Sequence, residues 1–128
     1  RFAIDRQGVP AVALGSPASL SATANDYSYE DAFARMLTAH AGPNDVAIGI
    51  STSGNSENVI RALQRAKELG LPTIALTGGD GGKCKDIAEV SVIVPSSNTP
   101  RIQEMHILAG HILCDLVERV LFRSAEDS

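Results

Sequence analysis

Four short runs, apolar along nearly their whole length, restrict this chain more than any other feature: "AVALG" at 11–15, "DVAIGI" at 45–50, "PTIALTG" at 72–78 and "SVIVP" at 91–95. A strand that is apolar on both sides is buried on both sides, which a parallel sheet covered by helices provides. Helical patterning lies between the runs. "YEDAFARMLTAHAG" sets Ala32, Phe33, Met36 and Leu37 at helical spacing, with Glu30 and Asp31 at its start and Gly42-Pro43 at its end. "SENVIRALQRAKELG" puts Val59, Ile60, Leu63 and Ala66 on one face and Arg61, Gln64, Lys67 and Glu68 on the other, with Gly70 as the stop. "SPASLSATAND" reads as loop with a short helical piece. "GDGGKCKDIAEV" reads as a glycine-rich turn and a short helix, and a long helix runs from Pro100 to about Phe122. The alternation predicts an α/β fold, a three-layer sandwich whose central parallel sheet is flanked by helices, as one domain over residues 1–128.

Charge narrows the function. A net charge of −4 argues against broad electrostatic binding to nucleic acid or to an anionic membrane. No run is long enough to cross a bilayer and no secretory leader is evident. Cys84 in a polar loop and Cys114 in an apolar helix read as reduced, cytoplasmic usage rather than a disulfide framework. "RFAIDRQGVP" reads as the exit of a helix followed by a linker. An upstream segment is therefore expected.

"ISTSGNS" at 50–56 follows the second apolar run and opens the next helix. In open parallel sheets ligands bind outside the carboxyl ends of the strands. A helix N-terminus there offers unpaired N–H groups and partial positive charge. The hydroxyls of Ser51, Thr52, Ser53 and Ser56, and a glycine that lets backbone come close, would suit a phosphate without a lysine. The same residues also suit a turn that binds nothing, capped by Ser56 or Asn55, so the residues alone leave both readings open.

Longer stretches resemble a known family. "GISTSGNSENVIRAL" is similar to the phosphosugar-binding loop of the SIS (sugar isomerase) domain, "ANDYSYEDAFARML" to the segment between its first strands, and "LTGGDGGKCKDIAEVSVIVPS" to its following strand, loop and strand. "TPRIQEMHILAGHILCDLVE" resembles the closing helix of one subfamily, the phosphoheptose isomerases. The resemblance covers nearly the whole chain. It implies a flavodoxin-like, nucleotide-binding-type topology and an enzyme converting sedoheptulose 7-phosphate into D-glycero-D-manno-heptose 7-phosphate for bacterial surface glycans. It implies that Ser51, Thr52, Ser53 and Ser56 hold the phosphate or sugar, and that Asn25 and Asp26 bind sugar hydroxyls. It further implies that Gln103 and His111 lie at the reacting end, as zinc ligands in members that carry zinc, and that the protein is a homotetramer with sites at subunit interfaces. The resemblance also implies that the family's N-terminal helices, its first strand and its glutamate base lie upstream of this sequence.

The long helix can also be read by itself. Ile102, Met105, Ala109, Ile112, Leu113, Leu116 and Val120 form one apolar stripe, expected to be core, and a second face carries Gln103, Ile107, Gly110, His111, Cys114 and Leu121. A helix apolar on two sides needs two partners, which predicts a homo-oligomer. A lone histidine among apolar residues is ordinarily a core histidine; Gln103 two turns earlier favours a site at His111. Eight residues of helix rise roughly 12 Å, which suits a site shared between subunits. Aldose–ketose isomerisation moves a proton between adjacent carbons through an enediol, and imidazole is the side chain suited to that near neutral pH. His106 is expected to be structural or at an interface, His40 at the surface and Cys84 exposed. "TGGDGGK" is expected to be mainly a flexible turn shaped by Asp80, with phosphate contact a weaker reading. Arg101 opens the helix against its dipole and awaits an acidic partner or substrate.

Two other functions compete. A non-catalytic relative, the DnaA initiator-associating protein, resembles this chain at "RIQEMH" and "LCDLVERVLF", but carries arginine at the position of Ser53 and asparagine at that of His111. A sugar-phosphate-sensing module of a transcription regulator would need a helix-turn-helix, which no basic stretch here suggests.

Overall fold

Three parallel strands, β1 (Ala47–Ser51), β2 (Thr73–Gly78) and β3 (Val90–Val94), stand in the order β1-β2-β3 in a computed structural model that describes residues 2–122. The register pairs Ser51 with Thr77 and Gly78 with Val94, so all three strands end at one rim. The described residues also form five helices: α1 (Pro17–Asp26), α2 (Ala32–His40), α3 (Glu57–Glu68), α4 (Cys84–Ile87) and α5 (Thr99–Phe122).

Helices lie on both sides of the sheet, as the alternation requires, α3 packing on one face and the first turns of α5 on part of the other. A Cβ on Gly49 would touch Val59 and Leu63 of α3, and Ala75, its partner in β2, packs with Ile60 and Leu63. Residue 78 faces the opposite side, where a Cβ would meet Ile102 of α5 at 2.3 Å. Ile60, Leu63 and Ala66 are the buried face of α3, as its periodicity predicts. Gly70 closes α3 at a φ of +74°, a conformation glycine adopts without strain. α2 packs on α3, and Asp31 at its N-cap bonds Arg61 at 2.6 Å and takes the Ser28 hydroxyl at 2.8 Å. These bonds, the Arg61 one foremost, hold the Asp31 carboxyl below its ordinary range.

Four expectations need correction. Residues 11–15 form no strand, and 11–13 are exposed. A strand needs a ladder partner, and among the described residues β1 pairs with β2 alone. "SPASLSATAND" is a full helix rather than mostly loop, because Ser16 accepts the Ser19 N–H at 3.2 Å and Pro17 takes the first turn, where its missing N–H is no loss. Cys84 is buried with Ile60, Leu63 and Ala75, and burial pushes its thiol up. Finally, the predicted core stripe of α5 is largely uncovered: Ile102 is buried, but Met105, Ile112 and Leu116 are exposed and Val120 is 81% exposed. α5 reaches the sheet through its first turns, over β2 and β3, and its buried positions are Ile102, His106 and Glu118. The sheet face on that side is also open, with Ile48, Ile50, Val90 and Val92 exposed.

Candidate functional site

Hydroxyls gather at the rim where the strands end. Ser51, the last residue of β1, is buried and its Oγ lies 2.8 Å from Ser56 Oγ and 3.5 Å from Ser53 Oγ. Ser56 occupies the N-cap of α3, yet its hydroxyl is turned to Ser51 and makes no bond to its own helix. The N-cap side chain therefore gives no bond to the first turn of α3, where Asn58 Oδ1 accepts the Val59 N–H at 3.0 Å. Asn55 folds inward: its N–H bonds Ser53 Oγ at 3.1 Å, its side-chain amide donates to the Ser53 carbonyl at 3.0 Å, and its carbonyl oxygen accepts the Lys83 N–H at 3.1 Å.

That last bond ties the serine loop to the glycine turn after β2, and the tie is close. A Cβ on Gly54, at φ +65°, would lie 2.0 Å from the Gly81 carbonyl oxygen, and one on Gly82 would lie 2.6 Å from the Ser53 oxygen. Cys84 N–H donates to the Gly54 carbonyl at 2.9 Å. The turn is thus a buttress, backbone against backbone, rather than the flexible turn expected. Asp80 does shape it, accepting the Gly82 N–H at 3.0 Å, and that bond, with the Lys85 charge, holds its carboxyl below the ordinary range.

Between these loops and the start of α5 lies a cleft of about 220 Å³ lined by Thr52, Ser53, Gly78, Gly79, Asp80, Ser96, Ser97, Thr99 and Ile102. Two of the four expected loop residues, Thr52 and Ser53, line it; Ser51 and Ser56 do not, and their hydroxyls bond each other. Ser96, Ser97 and Thr99 are a wall that the sequence reading missed. The signal was "PSSNTP", a second hydroxyl-rich stretch following an apolar strand.

The other expected residues lie elsewhere. Asn25 and Asp26 end α1, exposed and bonded to each other at 2.9 Å, and neither lines the cleft. Gln103 is exposed beside Ile102, and His111 is exposed further along α5, its ring edge-on to Phe2 with centroids 5.7 Å apart. From Ile102 to His111 the helix rises roughly 14 Å, so His111 does not reach the cleft of its own chain. His106 is buried, with Nε2 3.0 Å from the Thr77 carbonyl oxygen, a packing role. Arg101 pairs with Glu104 at 2.5 Å. Zinc takes three or four ligands from protein. Gln103 and His111 are two, and no group of three or more His, Cys, Asp or Glu able to hold a metal occurs among the described residues. The donor set present does not fit zinc.

Residues 1–78 match the model of the SIS domain family. The chain is 55% identical over 120 residues to the phosphoheptose isomerase of Helicobacter pylori (strain HPAG1), covering 93% of this chain and 62% of that protein. It is also 55% identical, over 123 residues, to the phosphoheptose isomerase of Citrifermentans bemidjiense, covering 95% and 64%. A solved phosphoheptose isomerase from Francisella tularensis superposes with a TM-score of 0.87 at 37% identity, over 93% of this chain and 64% of that one. The phosphoheptose isomerase GmhA from Neisseria gonorrhoeae gives 0.77 at 44% identity, over 80% and 57%. The chain therefore spans under two thirds of the length of these relatives.

Proposed function

This chain belongs to the SIS domain family, and on that premise we propose that it supplies the phosphosugar-gripping part of an isomerase that interconverts sedoheptulose 7-phosphate and D-glycero-D-manno-heptose 7-phosphate for bacterial heptose synthesis. The observation that carries the reading is the cleft at the strand ends, walled by the hydroxyls of Thr52, Ser53, Ser96, Ser97 and Thr99. The name shared by the relatives at 55% identity supports the choice of substrate.

In this mechanism the phosphate sits against Thr52 and Ser53, facing the start of α3, where N–H dipoles favour an anion. Ser51 holds the Ser56 hydroxyl in reserve on that side. Asp80, on the glycine turn that braces the serine loop, carries negative charge, so it faces sugar hydroxyls rather than phosphate. Asn25 and Asp26 contribute further sugar contacts in the assembled enzyme. Binding energy from the remote phosphate holds the carbonyl end in place for proton transfer. There one group takes a proton from the carbon beside the carbonyl and another returns it to the neighbouring carbon, through an enediol. We assign one of these roles to His111, acting on the cleft of a neighbouring copy, with Gln103 at the same end. The uncovered faces of α5 and of the sheet support a homo-oligomer, and the reading favours a tetramer. Zinc held by Gln103 and His111 would require further donors from the part of the longer relatives that this chain does not span. We place the enzyme in the cytoplasm, which suits its two free cysteines.

Purified full-length protein is expected to isomerise sedoheptulose 7-phosphate. Ser53→Arg is expected to weaken sugar-phosphate binding at least about tenfold in calorimetry, about 1.4 kcal/mol, because the longer side chain fills the cradle. Unchanged affinity would move the phosphate to another site.

A further inference from the structure

We propose that Glu118 is a positioning residue for His111, acting through the first residues of the described chain. The proposal rests on the isomerase reading for its catalytic consequence, but its geometry stands alone. Glu118 is fully buried on an otherwise exposed stretch of α5. Its Oε1 accepts the N–H groups of Ala3 at 3.0 Å and Ile4 at 3.2 Å, and its Oε2 accepts Arg6 Nε at 2.7 Å. Burial alone would raise the carboxyl, but these donors outweigh it and hold it below its ordinary range. A buried carboxylate is costly unless its lone pairs are filled. The donors Ala3, Ile4 and Arg6 lie within one four-residue stretch, so the carboxylate fastens that stretch to the helix. The Arg6 guanidinium also lies over the Phe122 ring, 4.9 Å from its centroid.

The stretch so fastened ends in Phe2, whose ring meets His111 edge-on. His111 and Glu118 are seven residues apart, two helical turns, and so share a face of α5. His111 is exposed, and its ring would turn freely without a neighbour. Phe2 is half-exposed and buries little against it, so the contact adds orientation more than stability. The chain of action therefore runs from the Glu118 carboxylate, through the amides of Ala3 and Ile4 and the Arg6 side chain, to Phe2, and from Phe2 to the imidazole. A reacting group misplaced by about 1 Å can lose up to 100-fold in rate, which is the scale on which such a support acts.

The test uses full-length protein with 13C-labelled histidine rings, the His111 Cε1–H signal being assigned by its loss in His111→Ala. Phe2→Leu removes the ring and is expected to shift that signal. Glu118→Gln, which keeps one acceptor oxygen but turns the other into an amide donor and loses the charge that grips Arg6, is expected to shift it the same way, and the double variant no further than Phe2→Leu alone. In turnover, Glu118→Gln is expected to lower kcat about tenfold with KM within about twofold, while Phe2→Tyr, which keeps the ring, retains the wild-type rate. Should Glu118→Gln fail to fold, Arg6→Gln releases the same clasp from its other side and is read identically. A His111 signal unmoved by Glu118→Gln or Arg6→Gln overturns the proposal, as does a rise in KM with kcat unchanged. If the signal moves as stated while wild-type protein turns over no sugar phosphate, the clasp stands and the isomerase reading falls.

Discussion

Gly54→Ala in the full-length protein is expected to lower Tm by on the order of 10 °C and to abolish sugar-phosphate binding. Two costs add. Residue 54 sits at φ +65°, where a side chain costs about 1–2 kcal/mol. The new methyl would also stand 2.0 Å from the Gly81 carbonyl oxygen, and that neighbour is backbone, not the pliable tip of a side chain. Overpacking of this kind costs about 1–3 kcal/mol, so the total is about 2–5 kcal/mol. Relief requires the serine loop and the glycine turn to part, which breaks the Cys84 N–H bond to the Gly54 carbonyl and dismantles one wall of the cleft. Gly70→Ala is the control. Its φ is +74° but nothing lies within 4 Å of its Cβ position, so it carries the conformational cost alone, about 1–2 kcal/mol, with binding intact. Equal losses in the two variants, by thermal melt and calorimetry, would mean that the loops do not interlock.

His111→Ala is expected to reduce kcat by about 10²–10⁴, the usual contribution of a positioned acid or base, with Tm and sugar-phosphate affinity nearly unchanged. The side chain is exposed, so little packing is lost. Because His111 stands roughly 14 Å along α5 from the cleft edge at Ile102, a shared site makes a second forecast. Co-expressing the His111→Ala chain with a Ser53→Arg chain should restore measurable turnover, since mixed oligomers pair an intact loop from one copy with an intact histidine from the other. Recovery absent from verified mixed oligomers would put loop and histidine in the same copy's site, and full activity in His111→Ala alone would remove its role.

The sequence exposed what depends on local pattern and hid what depends on neighbours. α3 was legible because Ile60, Leu63 and Ala66 recur at helical spacing, and these are the residues that become buried. The serine loop was legible because its position after an apolar strand and before a helix is itself the signal. The opposite wall was not, because Ser96, Ser97 and Thr99 come to the cleft through the parallel register that sets Gly78 beside Val94. Residues 11–15 have strand composition, yet a strand exists only with a partner in its ladder. Cys84 looked polar in its surroundings and is buried because α4 folds its first residue against α3 and β2. On α5 the apolar pattern is real, but exposure is decided by how far the sheet extends beneath it. Glu118 gave no signal, since a charged residue on a helix reads as solvated until its partners, more than 110 positions away in the chain, are known.

The interlock of the 51–56 loop with the 79–83 turn fixes when the substrate cradle can come into being. It spans one crossover, from β1 through α3 to β2, so it waits until β2 has docked on β1. A nascent molecule halted before that moment would be blind to sugar phosphate, while a finished one would be braced by it. On the proposed reading, sugar phosphate bound there would favour the finished fold over the unfinished chain.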